Sequence, residues 1–189
     1  MPETSPELTE LTSRIALYNS EHAYEKLYKF LYPGLHRFCF CLLKSKESAE
    51  EAANDVLIGI WRNREKLTAI NNIRVYAFVM ARNLCLNLLN KSGKQVFVSL
   101  DDINVDIALK TKNPEELLIN EELKLKLDQA TSALPTRCKL VFKLIKEDGL
   151  SYKEAAAILN ISVKTVDAHL VAAVKKLTTI LQLEFNLID

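Results

Sequence analysis

Apolar residues recur at intervals of three and four along most of the chain, which is the spacing of one face of an α-helix. Ser5-Pro6 predicts the start of a first helix, because Pro fits the first helical position. A second helix opens at Ser20 and is expected to end at Pro33-Gly34, with a third over 35–43, since Pro and Gly commonly interrupt helices. The N-terminal part is therefore predicted to be a series of short helices.

Two further helices are predicted before residue 92. Either Ser45 or Ser48 caps the first of them, and Ser48 has capping-box spacing to Glu51. The second covers 74–91, contains no Gly or Pro, and would be about 27 Å long at about 1.5 Å per residue. The residues predicted to form the inner stripe of the first are Ala49, Ala52, Ala53, Val56 and Ile60.

The helical pattern fades after residue 94, where QVFVSLDDINVDIALKTKN reads as a linker. Lys and Arg outnumber Asp and Glu by 12 to 7 over 21–94, whereas 95–120 carries 2 basic and 5 acidic residues. We therefore predict an all-α chain of two small helical domains joined by a flexible linker. The expected segments are an N-terminal extension 1–19, a first domain 20–94, the linker 95–113, a second domain 114–182 and a tail 183–189.

The sharpest local signal is GLSYKEAAAILNISVKTVDAHLVAAVKKL, residues 149–177. Ser151 and Glu154 have capping-box spacing, Asn160-Ile161 predicts a tight turn, and Ser162 caps a second helix. Two short helices joined in this way form a helix-turn-helix, whose second helix enters the major groove of DNA. The residues expected to point inward from that helix are Val163, Val166, Leu170, Val174 and Leu177.

The outer face of the second helix would then carry the DNA contacts. Lys175 and Lys176 are suited to phosphate, and the other residues expected to point outward are Lys164, Thr165, Ala168 and His169. Two alternatives remain open at this point: a helical hairpin in an ordinary core, and a His169 that is merely solvated.

Composition narrows the class of protein. Hydrophobic residues make up 49% and charged residues 26%, as in folded soluble proteins, and no apolar run approaches the roughly 20 residues that span a bilayer. The acidic, polar N-terminus is unlike a secretory signal, so a cytoplasmic location is expected. His36, Cys39 and Cys41 lack a second ligand pair, so neither a metal nor another cofactor is predicted.

Two blocks of the chain resemble extracytoplasmic-function (ECF) sigma factors. AYEKLYKFLYPGLHRFCFCLLKSKESAEEAANDVLIGIWRNREKL with VYAFVMARNLCLNLLNK is similar to their N-terminal domain, and LPTRCKLVFKLIKEDGLSYKEAAAILNISVKTVDAHLVAAVKKL to their C-terminal domain. The start Leu134-Pro135…Arg137-Cys138 resembles the group common in Bacteroidetes. The resemblance implies a non-enzymatic protein that binds core RNA polymerase, recognises promoter DNA, initiates transcription and is regulated by an anti-sigma factor, without membrane insertion.

The resemblance also implies residue roles. The segment that docks on the polymerase clamp coiled coil would use Glu50, Glu51, Asn54, Asp55, Leu57 and Trp61, with Leu57 and Trp61 lying off the inner stripe. The plain alternative is a solvated acidic face with Trp61 as a core anchor. Binding of the minus-ten element would use Asn71, Asn72, Tyr76, Arg82, Asn83, Asn87 and Lys91, with Phe78 as a further candidate. A place in the core is the alternative for Tyr76 and Phe78. Binding of the minus-thirty-five element would use Arg137, Ser162, Lys164, Thr165, Ala168, His169, Lys175 and Lys176.

The chain departs from the family pattern in several places. Asn54-Asp55 stands where Gln-Glu is usual, and Asn87 where Asp is common. Ala168, Val171 and Ala172 replace polar or basic residues, so fewer phosphate contacts are expected. Two other classes stay open: a helix-turn-helix regulator that is not a polymerase subunit, which has no need of 48–90, and an enzyme or interaction module of helical hairpins.

Overall fold

The computed structural model describes residues 6–91 and 130–180, and the backbone of the last helix as far as Phe185. Every regular element in this part of the chain is helical, which confirms the predicted all-α class. The N-terminal half contains α1 (Pro6–Tyr18), α2 (Glu21–Leu43), α3 (Lys46–Arg62), a 3₁₀ turn (Arg64–Ala69) and α4 (Ile73–Lys91). The C-terminal half contains α5 (Thr136–Phe142), a π turn (Lys143–Glu147), α6 (Tyr152–Leu159) and α7 (Val163–Phe185).

Local sequence signals set most of the helix starts. Pro6 is the first residue of α1, as predicted, whereas Ser5 lies outside the described residues. Ser20 caps α2, and its hydroxyl accepts the Ala23 amide at 3.3 Å. Ser45 caps α3 by accepting the Ser48 amide at 3.2 Å, so the first of the two alternatives is confirmed and a cap at Ser48 is wrong.

The predicted break at Pro33-Gly34 is wrong, because α2 runs unbroken from Glu21 to Leu43. Pro inside a helix removes one hydrogen bond and costs on the order of 3 kcal/mol. Packing offsets this loss, since the buried stripe of α2 continues through the Pro at helical spacing. Pro33 itself is exposed, and the buried side chains on either side of it are Leu27, Leu31, Leu35 and Phe38.

The two halves pack against each other and share apolar core. α4 lies against α6, and α2 lies against α5. Leu144, Leu150 and Ile158 are buried in one cluster with the side chains of α2, α3 and α4. The predicted linker and the predicted start of the second domain at 114 lie outside the described residues.

The described residues meet the requirements neither of a metal site nor of a single membrane-spanning helix. Cys39 and Cys41 are buried free thiols, and no group of three or more His, Cys, Asp or Glu within 6–91 and 130–180 is arranged to hold a metal ion. No single helix of the described chain is long and apolar enough to cross a bilayer. Only α6 and the first part of α7, taken together, reach that length and apolar composition, and this pair is bent by 103°.

Candidate functional surfaces

The outer face of α3 carries a row of carboxylates. Glu47, Glu51 and Asp55 are spaced by four residues and are all exposed. Like charges at this spacing repel each other by a few tenths of a kcal/mol. Neither Glu51 nor Asp55 has an ion pair with the part of the chain that the structure describes, and Glu50 beside them is half-buried. Glu51 and Asp55 are therefore the members of the row whose charge is not paired within the described chain, whereas Glu47 accepts a hydrogen bond from the Ser45 hydroxyl at 2.9 Å.

The apolar residue beside this row is Ile58, which is 45% exposed. The prediction that Leu57 lies off the inner stripe is wrong, because Leu57 is fully buried. Its spacing of four from Ala53 and three from Ile60 already indicated the inner face. The sequence reasoning missed Ile58, although the same periodicity identifies it.

Trp61 is half-buried and holds the end of α3. Its ring lies 4.8 Å from the ring of Tyr24, and the Arg64 guanidinium lies 4.8 Å above it. A groove of about 360 Å³ opens beside it, lined by Glu21, Tyr24, Ile58 and Trp61. Trp61 thus anchors packing, as one of the two alternatives considered from sequence has it, and it also lines a groove.

Asn54 lies between the carboxylate row and α2. It is half-buried, and its Oδ1 accepts a hydrogen bond of 2.7 Å from the Tyr28 hydroxyl. Tyr24 makes the neighbouring contact, donating to the Leu57 carbonyl oxygen at 2.9 Å. Burial raises the pKa of both phenols, so the hydroxyls keep the protons that they donate.

The loop before α4 and the first turn of α4 hold three of the seven predicted minus-ten residues: Asn71, Asn72 and Tyr76. Asn71 is exposed, whereas Asn72 caps α4, with its Oδ1 accepting the Val75 amide at 3.1 Å. The Asn72 amide nitrogen also donates to Glu154 Oε1 of α6 at 2.7 Å. Tyr76 is half-buried against the core and Phe78 is 2% exposed, so Phe78 is a core residue.

Farther along α4, Arg82 also contacts the C-terminal half. Its guanidinium donates to the Ile158 carbonyl oxygen at 2.9 Å and to Asn83 Oδ1 at 3.1 Å. The three remaining predicted residues are exposed and share the open side of the helix: Asn83, Asn87 and Lys91. Two of the residues predicted to bind the minus-ten element, Asn72 and Arg82, are therefore hydrogen-bonded to α6.

The helix-turn-helix has the predicted local geometry. Ser151 and Glu154 form both bonds of a capping box, and Asn160 ends α6 in the left-handed conformation with φ of 57°. The two helices are bent by 103°, within the usual range for this motif. Ser162 caps α7 by accepting the Thr165 amide at 3.0 Å.

Side chains on α7 follow the prediction only in part. Lys164, Lys175 and Lys176 are exposed, while the half-buried predicted residues are Arg137 on α5 and Thr165 and Ala168 on α7. Val166, Leu170 and Leu177 are buried as predicted. Val174 is half-buried, and the inward placement of Val163 is wrong, since it is 45% exposed.

The outward placement of His169 is also wrong, because the side chain is 2% exposed. Its Nδ1 lies 3.9 Å from Cys138 Sγ, and its Nε2 is buried without a hydrogen-bond partner in the described structure. Burial, aided by the nearby Arg137, lowers the pKa of His169. Its position is three residues after buried Val166, so it belongs to the inner face and not to the face predicted to contact DNA.

Ion pairs and hydrogen bonds also join the two halves at the edge of their apolar contact. Arg37 Nη2 lies 2.6 Å from Asp148 Oδ1, and the Arg37 Nε lies 3.5 Å from Glu147. Arg74 donates to the Asp148 carbonyl oxygen. Burial raises the pKa of the Asp148 carboxyl, although Arg37 acts in the opposite direction, so desolvation outweighs the attraction.

Comparison with protein families matches both halves of the chain. The profile of sigma-70 region 2 matches residues 27–95, and the profile of sigma-70, region 4, matches 124–177. An ECF RNA polymerase sigma-E factor of Escherichia coli (strain K12) is 38% identical over 61 residues, which are 32% of each chain. The chain thus spans about a third of the length of that relative.

A longer match covers more of the chain at lower identity. The ECF RNA polymerase sigma factor SigE of Mycolicibacterium smegmatis is 21% identical over 136 residues, 72% of this chain and 52% of the relative. Among solved structures, the sigma factor RpoE in complex with the anti-sigma factor NepR from Bartonella quintana gives a TM-score of 0.59 at 21% identity, covering 84% of this chain and 96% of that one. CnrH in complex with the cytosolic domain of CnrY gives 0.60 at 19% identity, covering 93% and 97%.

Proposed function

Because the chain belongs to the sigma-70 family of RNA polymerase sigma factors and is of the ECF type, we propose that it binds core RNA polymerase and directs it to promoter DNA. The observation that carries this proposal is the occurrence of both regions, in family order, on one chain. A regulator that acts without joining polymerase needs a helix-turn-helix but no region 2. The chain has no catalytic role of its own in this account.

The α3 surface is the proposed contact with polymerase. Glu51 and Asp55 supply exposed charge that forms no ion pair within residues 6–91 and 130–180, and Ile58 with Trp61 supplies apolar contact beside the groove. Such a combination of charge and a central apolar contact is typical of protein interfaces. Leu57 is removed from the proposed contact residues because it is buried, and Glu50 lies at the edge.

The proposed minus-ten surface is the loop before α4 and the outer side of α4. Unstacked bases are held by polar edge contacts and by stacking. Asn71, Asn83, Asn87 and Lys91 are exposed for this role, whereas Asn72 and Arg82 must first leave α6. Half-buried Tyr76 contributes only by its accessible edge.

The proposed minus-thirty-five surface is the outer side of α7. Lys164 lies in the first turn, where the free amides after Ser162 favour phosphate, so it positions the helix. Thr165 and Ala168 face the bases, and the exposed Lys175 and Lys176 reach phosphate. His169 is removed from this set.

Three finer features belong to the proposal. The two structural neighbours are in complexes with anti-sigma factors, which supports an anti-sigma partner for this chain as well. A protein that works on polymerase acts in the cytoplasm, without membrane insertion. The Leu134-Pro135…Arg137-Cys138 start supports placement in the group common in Bacteroidetes.

Charge reversal on α3 tests the docking surface. Asp55→Lys places a like charge against a basic partner, which costs up to several kcal/mol, so affinity for core polymerase should fall by more than about tenfold. Asp55 is exposed, so the fold should survive. Glu65→Lys makes the same charge change on the exposed 3₁₀ turn and should bind like the unmodified chain. Equal affinity of the two variants would remove α3 from the proposal.

A further inference from the structure

Three tyrosines and a histidine on α2 form a continuous aromatic row beside α3. Tyr28 and Tyr32 are stacked with ring centroids 5.4 Å apart and planes at 9°, and Tyr32 and His36 are stacked at 5.9 Å. Tyr24 meets Tyr28 edge-on at 6.4 Å. Because Tyr28 has a ring on both sides, its hydroxyl is held at one position against α3.

The Tyr28 hydroxyl hydrogen-bonds to Asn54, which carries a side-chain amide and lies among the proposed docking residues of α3. It donates to Asn54 Oδ1 at 2.7 Å, while Asn54 is flanked by exposed Asp55 and lies one turn from Ile58. With Oδ1 engaged by Tyr28, the amide nitrogen is the remaining polar atom of the Asn54 side chain. That nitrogen makes no hydrogen bond within residues 6–91 and 130–180, and it is not among the enclosed polar atoms without a partner.

We propose that Tyr28 is a positioning residue for polymerase binding: its hydroxyl fixes the Asn54 amide so that the two N–H donors face a hydrogen-bond acceptor on the core enzyme. This inference rests on the proposed function. A donor that is already oriented loses less conformational freedom when the complex forms than a freely rotating amide does. The raised pKa of Tyr28 supports the arrangement, because the phenol stays protonated and continues to donate.

The chain offers a matched pair of substitutions. Tyr28→Phe removes the donor and keeps the stacked ring. Tyr32→Phe removes a hydroxyl from the next ring of the same row, and that hydroxyl makes no hydrogen bond with the described residues. Any loss of binding that is common to both variants reports on the row in general, whereas a loss confined to Tyr28→Phe reports on Asn54.

A double-mutant cycle on the full-length chain, with the Kd for core polymerase as the readout, tests the inference. Tyr28→Phe should weaken binding by about two- to tenfold, as one well-formed hydrogen bond does, and Tyr32→Phe should leave the Kd unchanged. Asn54→Ala should weaken binding at least as much. Adding Tyr28→Phe to Asn54→Ala should cause no further loss, because the hydroxyl then has nothing to orient.

The possible results separate this inference from the function on which it rests. If Tyr28→Phe binds like the unmodified chain, or if it adds its full loss in the Asn54→Ala background, the hydroxyl does not act through Asn54 and the inference is wrong while the function stands. If the unmodified chain does not bind core polymerase, the proposed function fails and the inference fails with it.

Discussion

His169 is held as a neutral imidazole in the core of the C-terminal half. The unfolded side chain takes up a proton near pH 6.5, whereas burial, with Arg137 nearby, lowers the pKa in the folded chain. The unfolded state therefore binds more protons as the pH falls through 6.5, and this favours unfolding until the folded pKa is passed. Each unit of pKa lowering corresponds to about 1.4 kcal/mol of stability lost at low pH.

His169→Gln should remove this part of the pH dependence. Gln has a similar size and polarity but does not titrate between pH 7.5 and 5.5. Urea unfolding at the two pH values should therefore show a smaller loss of stability in the variant, and the carboxyl titrations common to both proteins cancel in the comparison. The same pH dependence in both proteins would contradict a buried neutral His169.

Leu57 and His169 show which residue-level predictions fail from sequence. Leu57 was assigned to an outer face together with the family's core-binding role, and His169 was assigned to the outer face of the predicted helix-turn-helix. Both lie at helical spacing from buried neighbours, Leu57 four residues after Ala53 and His169 three residues after Val166. Periodicity alone predicted Val56, Ile60, Val166 and Leu170 correctly, because burial on a regular helix depends on spacing.

At the scale of the element, α2 uses Gly34 for a close approach instead of a turn. A Cβ at this position would lie 3.0 Å from Asp148 Oδ1 and 3.1 Å from Phe78 Cζ. Asp148 is held by Arg37, and the Phe78 ring is buried, so neither yields easily. The residue that suggested a helix break is thus explained by the packing of α2 on the segment before α6.

Gly34→Ala should therefore destabilise the chain, although Ala is favoured over Gly in a helix by about 1 kcal/mol. We expect a net loss of about 1–3 kcal/mol in urea unfolding, as for other overpacked positions. Gly59→Ala is the control, because the added Cβ would meet only the flexible end of Met80 at 3.0 Å. Greater stability in Gly34→Ala than in Gly59→Ala would mean that the approach of α2 to Asp148 is not tight.

Helix starts were more predictable than the break at Pro33-Gly34. Caps such as Ser151 with Glu154 act over a single turn, so their sequence signal is local and sufficient. Whether a Pro ends a helix depends on packing against other elements. Gly34 packs against Asp148, which is more than a hundred residues away in the sequence, so the pattern of residues within α2 could not predict that contact.

At the scale of the whole molecule, the contact between the halves competes with the proposed DNA contacts. Asn72 and Arg82 are bonded to Glu154 and to the Ile158 carbonyl oxygen of α6. The sequence predicted two domains but not this contact, because hydrogen bonds between distant segments leave no periodicity. If Asn72 and Arg82 bind the opened promoter, α6 must leave α4.

Distances between spin labels at Lys29→Cys and Lys175→Cys test this separation, since both positions are exposed and the native cysteines are buried. The complex with core polymerase and promoter DNA should give a longer distance than the free chain. Arg37→Ala should shift the free chain towards the longer distance, because it leaves the buried Asp148 carboxylate without its partner. An unchanged distance in the promoter complex would contradict the release of Asn72 and Arg82.

The most direct test of the proposed function is reconstituted transcription with core polymerase and genome fragments from the organism that encodes the chain. With the full-length chain added, we expect transcripts from discrete start sites preceded by a shared pair of upstream sequence elements. Asp55→Lys should lose these transcripts, and Glu65→Lys should retain them. Start sites that are the same with and without the chain would contradict its assignment as a promoter-directing subunit.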